Sequence, residues 1–339
     1  MQIWHGLDDV LAATSQPGHL LAAGAVLSIG NFDGVHCGHQ SVLTRVVSLA
    51  RELGMAAIAM TFDPHPSQVH RPDQPLELIT GLDDRLAVMR ETGLDAVLVE
   101  PYTHEFASQS PADFVRRYVV EALGARLLVV GQDIRFGAGN VGTIDTLRLL
   151  GAQWGFEVEA HEDVGGGELG EHRWSSTVAR DLLAQGDVQA VATLLGRPHL
   201  VRGTVVHGDA RGRELGFPTA NLGDIQGMVP AHGVYAGWLL RPGAAQQEAS
   251  HPGAAHPGAR LPAAISIGTN PTFGDVFHRR VEAHVLGRTD LDLYDEQVVV
   301  EFVARLRSTV KFSGVEVLIA QIHQDVVQAR AVLNQASGA

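Results

Sequence analysis

Residues 30–40, Gly-Asn-Phe-Asp-Gly-Val-His-Cys-Gly-His-Gln, decide the fold of the first half of this chain. They follow an apolar run at residues 25–29 that predicts a buried strand. They precede residues 41–53, where apolar side chains recur at helical spacing. The stretch therefore lies at a strand-to-helix turn. The unpaired N–H groups and the positive dipole end of such a helix favour an anion, for example a phosphate.

Glycines and histidines give this turn its chemical character. Gly30, Gly34 and Gly38 permit tight turns and a close approach of a ligand to the backbone. His36 and His39 are three residues apart, so in the first turn of a helix they can face the same ligand. Two imidazoles beside a helix N-terminus suit the stabilisation of charge on a triphosphate. A glycine-rich turn with surface histidines and no chemistry is the alternative interpretation.

The complete stretch resembles the flavin-specific form of the His-x-Gly-His nucleotidyltransferase motif, G-N-F-D-G-V-H-x-G-H. That form belongs to the prokaryotic bifunctional riboflavin kinase/FAD synthetase family. The resemblance implies an N-terminal α/β nucleotidyltransferase domain of Rossmann-like type, with FMN adenylyltransferase activity and with His36 and His39 as catalytic residues. It further implies that ATP or flavin is contacted by Gly30, Phe32, Asp33, Gly34 and Gly38.

The composition is that of an ordinary globular protein. With 339 residues the chain is long enough for two domains that each bury a core. The formal net charge of -13 argues against broad nucleic-acid binding, and no apolar run approaches the ~18 residues that span a bilayer. Cys37 is the only cysteine, which fits a reducing compartment. We therefore expect a cytoplasmic protein that binds small phosphorylated ligands and neither nucleic acid nor membrane, and self-association is left open.

Strand-like and helical stretches alternate through the first half of the chain. Further buried strands are predicted at residues 55–62, 96–99 and 126–130, and helices at 83–91, 111–123 and 141–154. This alternation predicts a parallel sheet with helices on both faces, and a nucleotide would bind across the carboxyl edge of the strands. The chain lacks G-x-G-x-x-G and P-loop signatures, which disfavours a dinucleotide-binding Rossmann domain or a P-loop kinase.

Two of these strands end in polar stretches. Residues 61–66 match the family pattern T-F-x-P-H-P, and we expect the two prolines to end regular structure there. Residues 131–137 match a second family pattern except at Ile134, where an aromatic residue is usual. A proline-rich turn and a structural pairing of Asp133 with Arg135 are the alternatives. The resemblance implies that ATP or flavin is contacted by His65, Asp133 and Phe136.

A third polar stretch follows a predicted loop at residues 162–170 and reads Arg-Trp-Ser-Ser-Thr-Val-Ala-Arg at residues 173–180. Serine and threonine before an apolar helix are favoured N-cap residues, which is one interpretation. The other is a second phosphate-binding helix start, because the stretch resembles the family pattern S-S-T-x-x-R with an arginine upstream. That resemblance implies ATP contacts from Arg173, Ser176 and Thr177 and a catalytic role for Arg180.

The pattern changes near residue 186, where we place the boundary between domains at 1–186 and 187–339. Short apolar runs separated by glycine and proline then follow without intervening helices, which predicts a small antiparallel β-barrel. Its strands are expected at residues 200–206, 233–240, 263–268, 281–286 and 297–303, and a closing helix at 315–333. Residues 241–260, rich in Ala, Gly, Pro, Gln and His, are interpreted as a flexible insertion at a hairpin tip.

Two polar constellations lie in this second half. Residues 208–213, Gly-Asp-Ala-Arg-Gly-Arg, can fold over phosphates with their backbone N–H groups. Thr219 and Asn221 share one face of an extended segment, and their oxygens suit Mg²⁺. Glu282 alternates with apolar neighbours along a strand, and a carboxylate inside a barrel mouth could take a proton from a substrate hydroxyl. A capped turn and a surface strand residue are the alternatives.

Together with residues 265–273 and Tyr294, these residues resemble the riboflavin kinase module of the same family in order and type. The resemblance implies that Glu282 is the catalytic base and that Thr219 and Asn221 hold Mg²⁺. It also implies ATP or flavin contacts from Gly208, Arg213, Gly216 and Pro218.

The sequence thus predicts a bifunctional transferase of flavin cofactor biosynthesis. The barrel would phosphorylate riboflavin to FMN with ATP and Mg²⁺. The N-terminal domain would adenylylate FMN to FAD with release of pyrophosphate. A riboflavin kinase with an inactive front domain is one alternative, and a non-catalytic sensor of flavin or nucleotide is another.

Overall fold

The computed structural model describes residues 1–74, 76–162, 174–208, 212, 215–242, 260–269 and 279–337. The chain forms two compact units. The first consists of Met1–Glu77 and Leu82–Ser175, and the second of Leu78–Gly81 and Ser176–Ala339. Most of the predicted loop at 162–170 and of the predicted insertion at 241–260 lie outside the described residues, as do Arg173 and Arg213.

The first unit contains a six-stranded parallel sheet, which confirms the predicted fold class. Its strands are β1 (Gln2–His5), β2 (Ala25–Ile29), β3 (Ala56–Asp63), β4 (Ala96–Pro101), β5 (Ala125–Gly131) and β6 (Glu157–His161). The spatial order is β1-β4-β3-β2-β5-β6, so β2 lies between β3 and β5. The chain leaves β2 toward β3 on one side and later returns to β5 on the other. At such a change of direction, open α/β sheets generally bind ligands beyond the carboxyl ends of the two strands, here β2 and β5.

Both faces of this sheet are buried, which explains why its strands are continuous apolar runs and not alternating patterns. Leu27, Ile58 and Leu98 belong to the core on one face. Their neighbours Val26 and Ala57 belong to the core on the other face.

Helices flank the sheet. They are α1 (Leu7–Thr14), α2 (Cys37–Leu53), α3 (Pro66–His70), α4 (Leu82–Glu91), α5 (His104–Ala107), α6 (Pro111–Phe114), which continues as a π-helix over Val115–Ala122, and α7 (Ile144–Trp154). α2 begins earlier than residue 41 because His36 caps it. β3 ends at Asp63, directly before the first of the two prolines, as expected, but regular structure resumes at once, because Pro66 begins α3. A proline is favoured there, since the first N–H groups of a helix have no partner within it.

The second unit is a closed barrel of six antiparallel strands, as predicted. The strands are β7 (His199–Val206), β8 (Ala220–Gln226), β9 (Gly233–Leu240), β10 (Leu261–Thr269), β11 (Arg279–Val285) and β12 (Gln297–Arg307), in the order β10-β11-β8-β7-β12-β9. Among the described residues three helices accompany them, α8 (Ser176–Gln185), α9 (Val188–Leu195) and α10 (Val315–Ser337). β8 has no counterpart among the predicted strands, because Gly223 and Asp224 interrupt its apolar pattern.

Candidate functional site

Residues 30–40, which we call the histidine-bearing turn, follow β2. His36 is the N-cap residue of α2. Nδ1 of His36 accepts a hydrogen bond from the backbone N–H of His39 at 3.3 Å. The two imidazole rings stack, with centroids 3.7 Å apart and 23° between their planes. A Cβ atom at Gly38 would lie 3.0 Å from Nδ1 of His36, so a side chain there would displace the ring. The structure therefore brings the two predicted histidines together at a helix start.

The electrostatics of this pair favour a neutral ring at His39. Burial, and secondarily the adjacent His36, hold the pKa of His39 well below its usual range. Because Nδ1 of His36 accepts a hydrogen bond, the proton of its neutral ring lies on Nε2. Nδ1 of His39 is buried and has no hydrogen-bond partner among the residues that the structure describes. A nearby anion would raise the pKa of His39, because it favours the charged form of the ring.

The backbone of the turn is strained. Phe32 and Val35 have φ angles of 49° and 39°, in the left-handed region. For a β-branched residue such as valine this conformation is a genuine outlier. Phe32 and Asp33 are both buried, at 3% and 1% exposure. Strained backbone of this kind clusters at functional sites and persists only where the surrounding structure holds it in place.

The other predicted ligand residues of the first unit follow β3 and β5, at the same edge of the sheet as the turn. His65 is buried and caps α3, with its Nδ1 accepting from the N–H of Ser67 at 3.1 Å. Phe136 is buried and packs against Phe114, with ring centroids 5.8 Å apart. Asp133 lies in the loop that joins β5 to Phe136. His65 and Phe136 therefore have structural contacts of their own in addition to any contact with ligand.

The stretch that resembles S-S-T-x-x-R begins α8, which belongs to the second unit. Ser176 and Thr177 form its first turn, and Arg180 lies one turn further along. A helix start is the position that both the N-cap interpretation and the phosphate-binding interpretation require.

The barrel brings Asn221 and Glu282 together. Asn221 on β8 and Glu282 on β11 are partners in the strand register, and such partners point to the same face of the sheet. The residues beside Glu282, Val281 and Ala283, are buried in the barrel core. Glu282 thus lies on the outer face of the barrel wall, which differs from the expectation of a carboxylate inside the barrel mouth. We call the outer face of β8 and β11 around these two residues the polar wall.

Arg280 shares the polar wall and was not predicted. Its Nε lies 2.9 Å from Oδ1 of Asn221 and 2.9 Å from Oε1 of Glu282. A Cβ atom at Gly208 would lie 2.5 Å from Nδ2 of Asn221, so the chain approaches the polar wall there only because residue 208 is glycine. Pro218 is tied to the wall as well, because its carbonyl lies 2.8 Å from Nδ1 of His284.

Two more predicted residues flank the polar wall. The amide Nδ2 of Asn221 donates to the carbonyl of Thr219 at 3.4 Å, which keeps these two residues together. Tyr294 stacks on His207, the neighbour of Gly208, with ring centroids 3.9 Å apart. Gly216 has a φ of 85°, in the left-handed region that favours glycine.

The donor atoms of the polar wall fit a hard cation. Thr219, Asn221 and Glu282 offer hydroxyl, amide and carboxylate oxygens, which Mg²⁺ accepts when ATP phosphates complete its shell. The guanidinium of Arg280 already places a positive charge between two of these oxygens. No cluster of three or more His, Cys, Asp or Glu that could hold a metal occurs in the part of the chain that the structure describes. A cation here would therefore depend on ligand oxygens.

Two arginines that contact these sites were not predicted from the sequence. Arg85 on α4 donates to the backbone of the histidine-bearing turn, and Arg280 joins the two polar side chains of the barrel. A signal exists for both. Arg85 follows the helical spacing of Leu82, Leu86 and Met89, which puts a charge on the apolar face of α4. Arg280 has the same strand alternation as Glu282.

Comparison with known proteins finds two families in this chain. A family described as FAD synthetase matches residues 20–178, and one described as riboflavin kinase matches residues 195–333. The chain is 37% identical over 333 residues to the bifunctional riboflavin kinase/FMN adenylyltransferase of Pseudomonas fluorescens, and the match covers 98% of each. It is 34% identical over 323 residues to the protein of the same name from Bacillus subtilis strain 168, covering 93% of this chain and 95% of the relative.

A solved structure from Streptococcus pneumoniae, named a macrolide-efflux protein, has a similar fold. It is 27% identical, with a TM-score of 0.79, and the match covers 97% of this chain and 99% of that one. Efflux is what that name says of that protein. In the described part of this chain no helix is both long and apolar enough to cross a membrane.

Proposed function

This chain belongs to the bifunctional riboflavin kinase/FMN adenylyltransferase family, and we propose that the histidine-bearing turn and the polar wall are its two active sites. The enzyme phosphorylates riboflavin to FMN with ATP, and it adenylylates FMN to FAD with release of pyrophosphate. The FAD synthetase domain precedes the riboflavin kinase domain. We assign residues 1–186 to adenylyl transfer and residues 187–339 to phosphorylation.

Adenylyl transfer is proposed to take place at the start of α2. The FMN phosphate attacks the α-phosphorus of ATP, the bond to the β-phosphate breaks, and pyrophosphate leaves with the electron pair. The N–H groups of the helix start and the Nε2–H of His36 meet the charge that develops on the phosphates. His39 donates to the same charge, because the phosphates raise its lowered pKa. By the family resemblance, further contacts to ATP come from Arg173, Ser176, Thr177 and Arg180.

Phosphorylation of riboflavin is proposed to take place at the polar wall. Glu282 accepts the proton of the ribityl 5′-hydroxyl, whose oxygen attacks the γ-phosphorus of ATP, and ADP leaves. Arg280 holds the Glu282 carboxylate beside the Asn221 amide. Mg²⁺ bound by Thr219 and Asn221 would neutralise the charge of the ATP phosphates. The family resemblance adds ATP or flavin contacts from Gly208, Arg213, Gly216 and Pro218.

The observation that carries this proposal is the register pairing of Asn221 with Glu282. Two residues far apart in sequence, each expected to serve the same reaction, meet on one face of the barrel. Packing of the apolar barrel core does not account for an amide, a carboxylate and a bridging arginine on the opposite face of the same strands, whereas a shared role in one reaction does.

The proposal is tested by incubating the full-length protein first with riboflavin, ATP and Mg²⁺ and then with FMN, ATP and Mg²⁺, and by separating the flavins. We expect Glu282→Ala to lose FMN formation and to keep the conversion of supplied FMN to FAD. We expect His39→Ala to show the reverse. Glu301→Ala is the matched control for the first variant, because Glu301 lies on the barrel strand β12 and also pairs with an arginine, Arg260. His5→Ala, at an exposed histidine, is the control for His39→Ala.

The outcomes also separate the two alternatives. An enzyme that forms FMN but never FAD from supplied FMN would be a riboflavin kinase with an inactive front domain. A protein that binds flavin or nucleotide without converting either would be a sensor. Equal loss of both activities in Glu282→Ala would contradict separate sites.

The partners we propose are the small molecules riboflavin, FMN and ATP, with Mg²⁺ accompanying ATP. A cytoplasmic location is proposed because both reactions use ATP as the donor. Self-association is compatible with either site and is measured directly by sedimentation.

A further inference from the structure

The backbone carbonyl of Asn31 is held by two buried side chains. It accepts a hydrogen bond from the hydroxyl of Thr61 at 3.0 Å and another from Nη1 of Arg85 at 2.9 Å. Thr61 lies on β3 and Arg85 on α4, and they are 0% and 1% exposed. Asn31 itself is exposed and belongs to the histidine-bearing turn. Two buried donors therefore converge on one carbonyl at the end of β2.

The guanidinium of Arg85 also reaches the next strand. Its Nη2 donates to the carbonyl of Phe62 at 3.1 Å, and the carboxylate of Asp63 lies 4.0 Å away. One side chain thus joins the carboxyl ends of β2 and β3, the edge at which the turn lies. A planar group with fixed donors can hold two carbonyls at a set distance, which a flexible ammonium cannot do as well.

A buried arginine at this place is not explained by stability. Burial lowers the pKa of Arg85, and the carboxylates of Asp33 and Asp63 act in the opposite direction. Replacing a buried ion pair by apolar residues of similar volume is often neutral or stabilising. The other buried residues of α4 are Asp84, Leu86 and Met89. A charge retained among them requires a reason beyond packing.

The strain of the turn supplies that reason. The held carbonyl belongs to the peptide group just before Phe32, whose φ of 49° is left-handed, and Val35 follows with a φ of 39°. Strained residues keep such angles only when neighbouring groups fix them. His36 comes directly after Val35 and caps α2. A relaxed turn would therefore move the histidine pair.

We propose that Arg85 and Thr61 are positioning residues for adenylyl transfer, which fix the Asn31 carbonyl and so hold His36 and His39 at the start of α2. Neither side chain contacts the reacting phosphates in this proposal. The inference rests on the proposed role of the histidine pair, and it adds the source of the turn's shape.

The expected effect falls on turnover more than on binding. A displacement of about 1 Å at catalytic groups lowers the rate about 100-fold. We expect Arg85→Met, which loses two carbonyl contacts, to lower kcat for adenylyl transfer roughly 100-fold, and Thr61→Val, which loses one, roughly tenfold. KM for FMN and for ATP should change by less than about threefold, because the lost stabilisation belongs to the transition state. Thr61→Ser keeps its hydroxyl donor and should recover most of the activity, whereas Arg85→Lys should recover only part of it, because an ammonium cannot hold both carbonyls as the guanidinium does.

The experiment uses the full-length chain, and riboflavin kinase activity in the same preparation reports that the protein is folded. Thr92→Val and Arg51→Met are the matched controls. Thr92 donates its hydroxyl to the carbonyl of Met89 at 2.7 Å, and Arg51 donates to the carbonyl of Gly93 at 3.1 Å, both in the first unit and away from the turn. Neither control should change kcat for adenylyl transfer. Hydrogen exchange of peptides that cover residues 30–40 should be faster in Thr61→Val than in Thr92→Val.

His39→Ala is measured alongside, so that the two layers of the proposal are tested separately. If His39→Ala retains adenylyl transfer, the proposed site itself is wrong. If His39→Ala is inactive while Thr61→Val and Arg85→Met keep the wild-type kcat, the positioning role alone is overturned. A fall in both activities in Arg85→Met with an unchanged Thr61→Val would also overturn it, because that pattern indicates a general effect on folding.

Discussion

A buried histidine in the barrel makes the stability of the second unit depend on pH. His199 on β7 is fully buried, and its Nε2 lies 2.7 Å from the carbonyl of Met228. Its Nδ1 has no hydrogen-bond partner among the described residues. Burial lowers the pKa of His199 to about 4, with a smaller contribution from Arg197 in the same direction and an opposing one from the Met228 carbonyl.

The magnitude follows from the two protonation states. In the unfolded chain the pKa of this imidazole returns to about 6.5. Between pH 6.5 and about 4 the unfolded chain binds a proton that the folded chain does not, so stability falls as the pH falls through this range. At about 1.4 kcal/mol for each pKa unit, the difference between 6.5 and about 4 lowers the free energy of unfolding by about 3 kcal/mol.

The variant His199→Gln isolates this effect, because its amide can still donate to the Met228 carbonyl but does not titrate. The protein is unfolded in urea at pH 7 and at pH 4. The fraction unfolded is measured with a short hydrogen-exchange pulse at one fixed pH and mass spectrometry of barrel peptides. Wild type should lose about 3 kcal/mol more than the variant between the two pH values. His232→Gln, at an exposed histidine of the same unit, should behave as wild type.

An equal loss of stability in wild type and His199→Gln would refute the argument. It would mean that the imidazole is protonated in the folded barrel near its ordinary pKa, or that it remains buried and neutral after unfolding.

The remaining predictions concern the two sites. Glu282→Gln should lower kcat for FMN formation at least roughly 100-fold with FAD formation from FMN unchanged, measured by flavin chromatography, since the amide cannot take a proton. Gly38→Ala should lower adenylyl transfer at least roughly tenfold and spare the kinase, because the new Cβ would lie 3.0 Å from the His36 ring. Gly208→Ala should lower riboflavin kinase activity and spare adenylyl transfer, because its Cβ would lie 2.5 Å from the Asn221 amide. Wild-type activity in either glycine variant would contradict the close packing described here.

Much of the fold was predictable because its strands have strong local signals. The parallel sheet is buried on both faces, so its strands are uninterrupted apolar runs, and the helices between them have clear periodicity. The predicted range of β9, residues 233–240, agrees with its observed bounds. β8 was missed because a strand that carries Asn221, Gly223 and Asp224 has no such signal and is specified by its partners in the barrel.

The sites were predictable only in part. The histidine pair is local in sequence, so its spacing was sufficient to bring His36 and His39 together. The side of the barrel wall on which Glu282 lies could not be read from alternation, which separates two faces without saying which is interior. The contacts of Arg85 and Arg280 depend on elements distant in sequence. The sequence signals for them were the charge of Arg85 on the apolar face of a helix and the strand alternation that Arg280 shares with Glu282.

The location of the polar wall has a consequence for how this enzyme can change. The barrel interior is filled by aliphatic and aromatic side chains such as Ile265, Val281 and Phe302, while Asn221 and Glu282 occupy the opposite side of the same strands. Selection acting on substrate preference can alter residues along that outer surface one at a time without opening voids in the interior. An engineer seeking a kinase for a flavin analogue has the same freedom, and a library confined to outward positions should retain far more folded members than one directed at the interior.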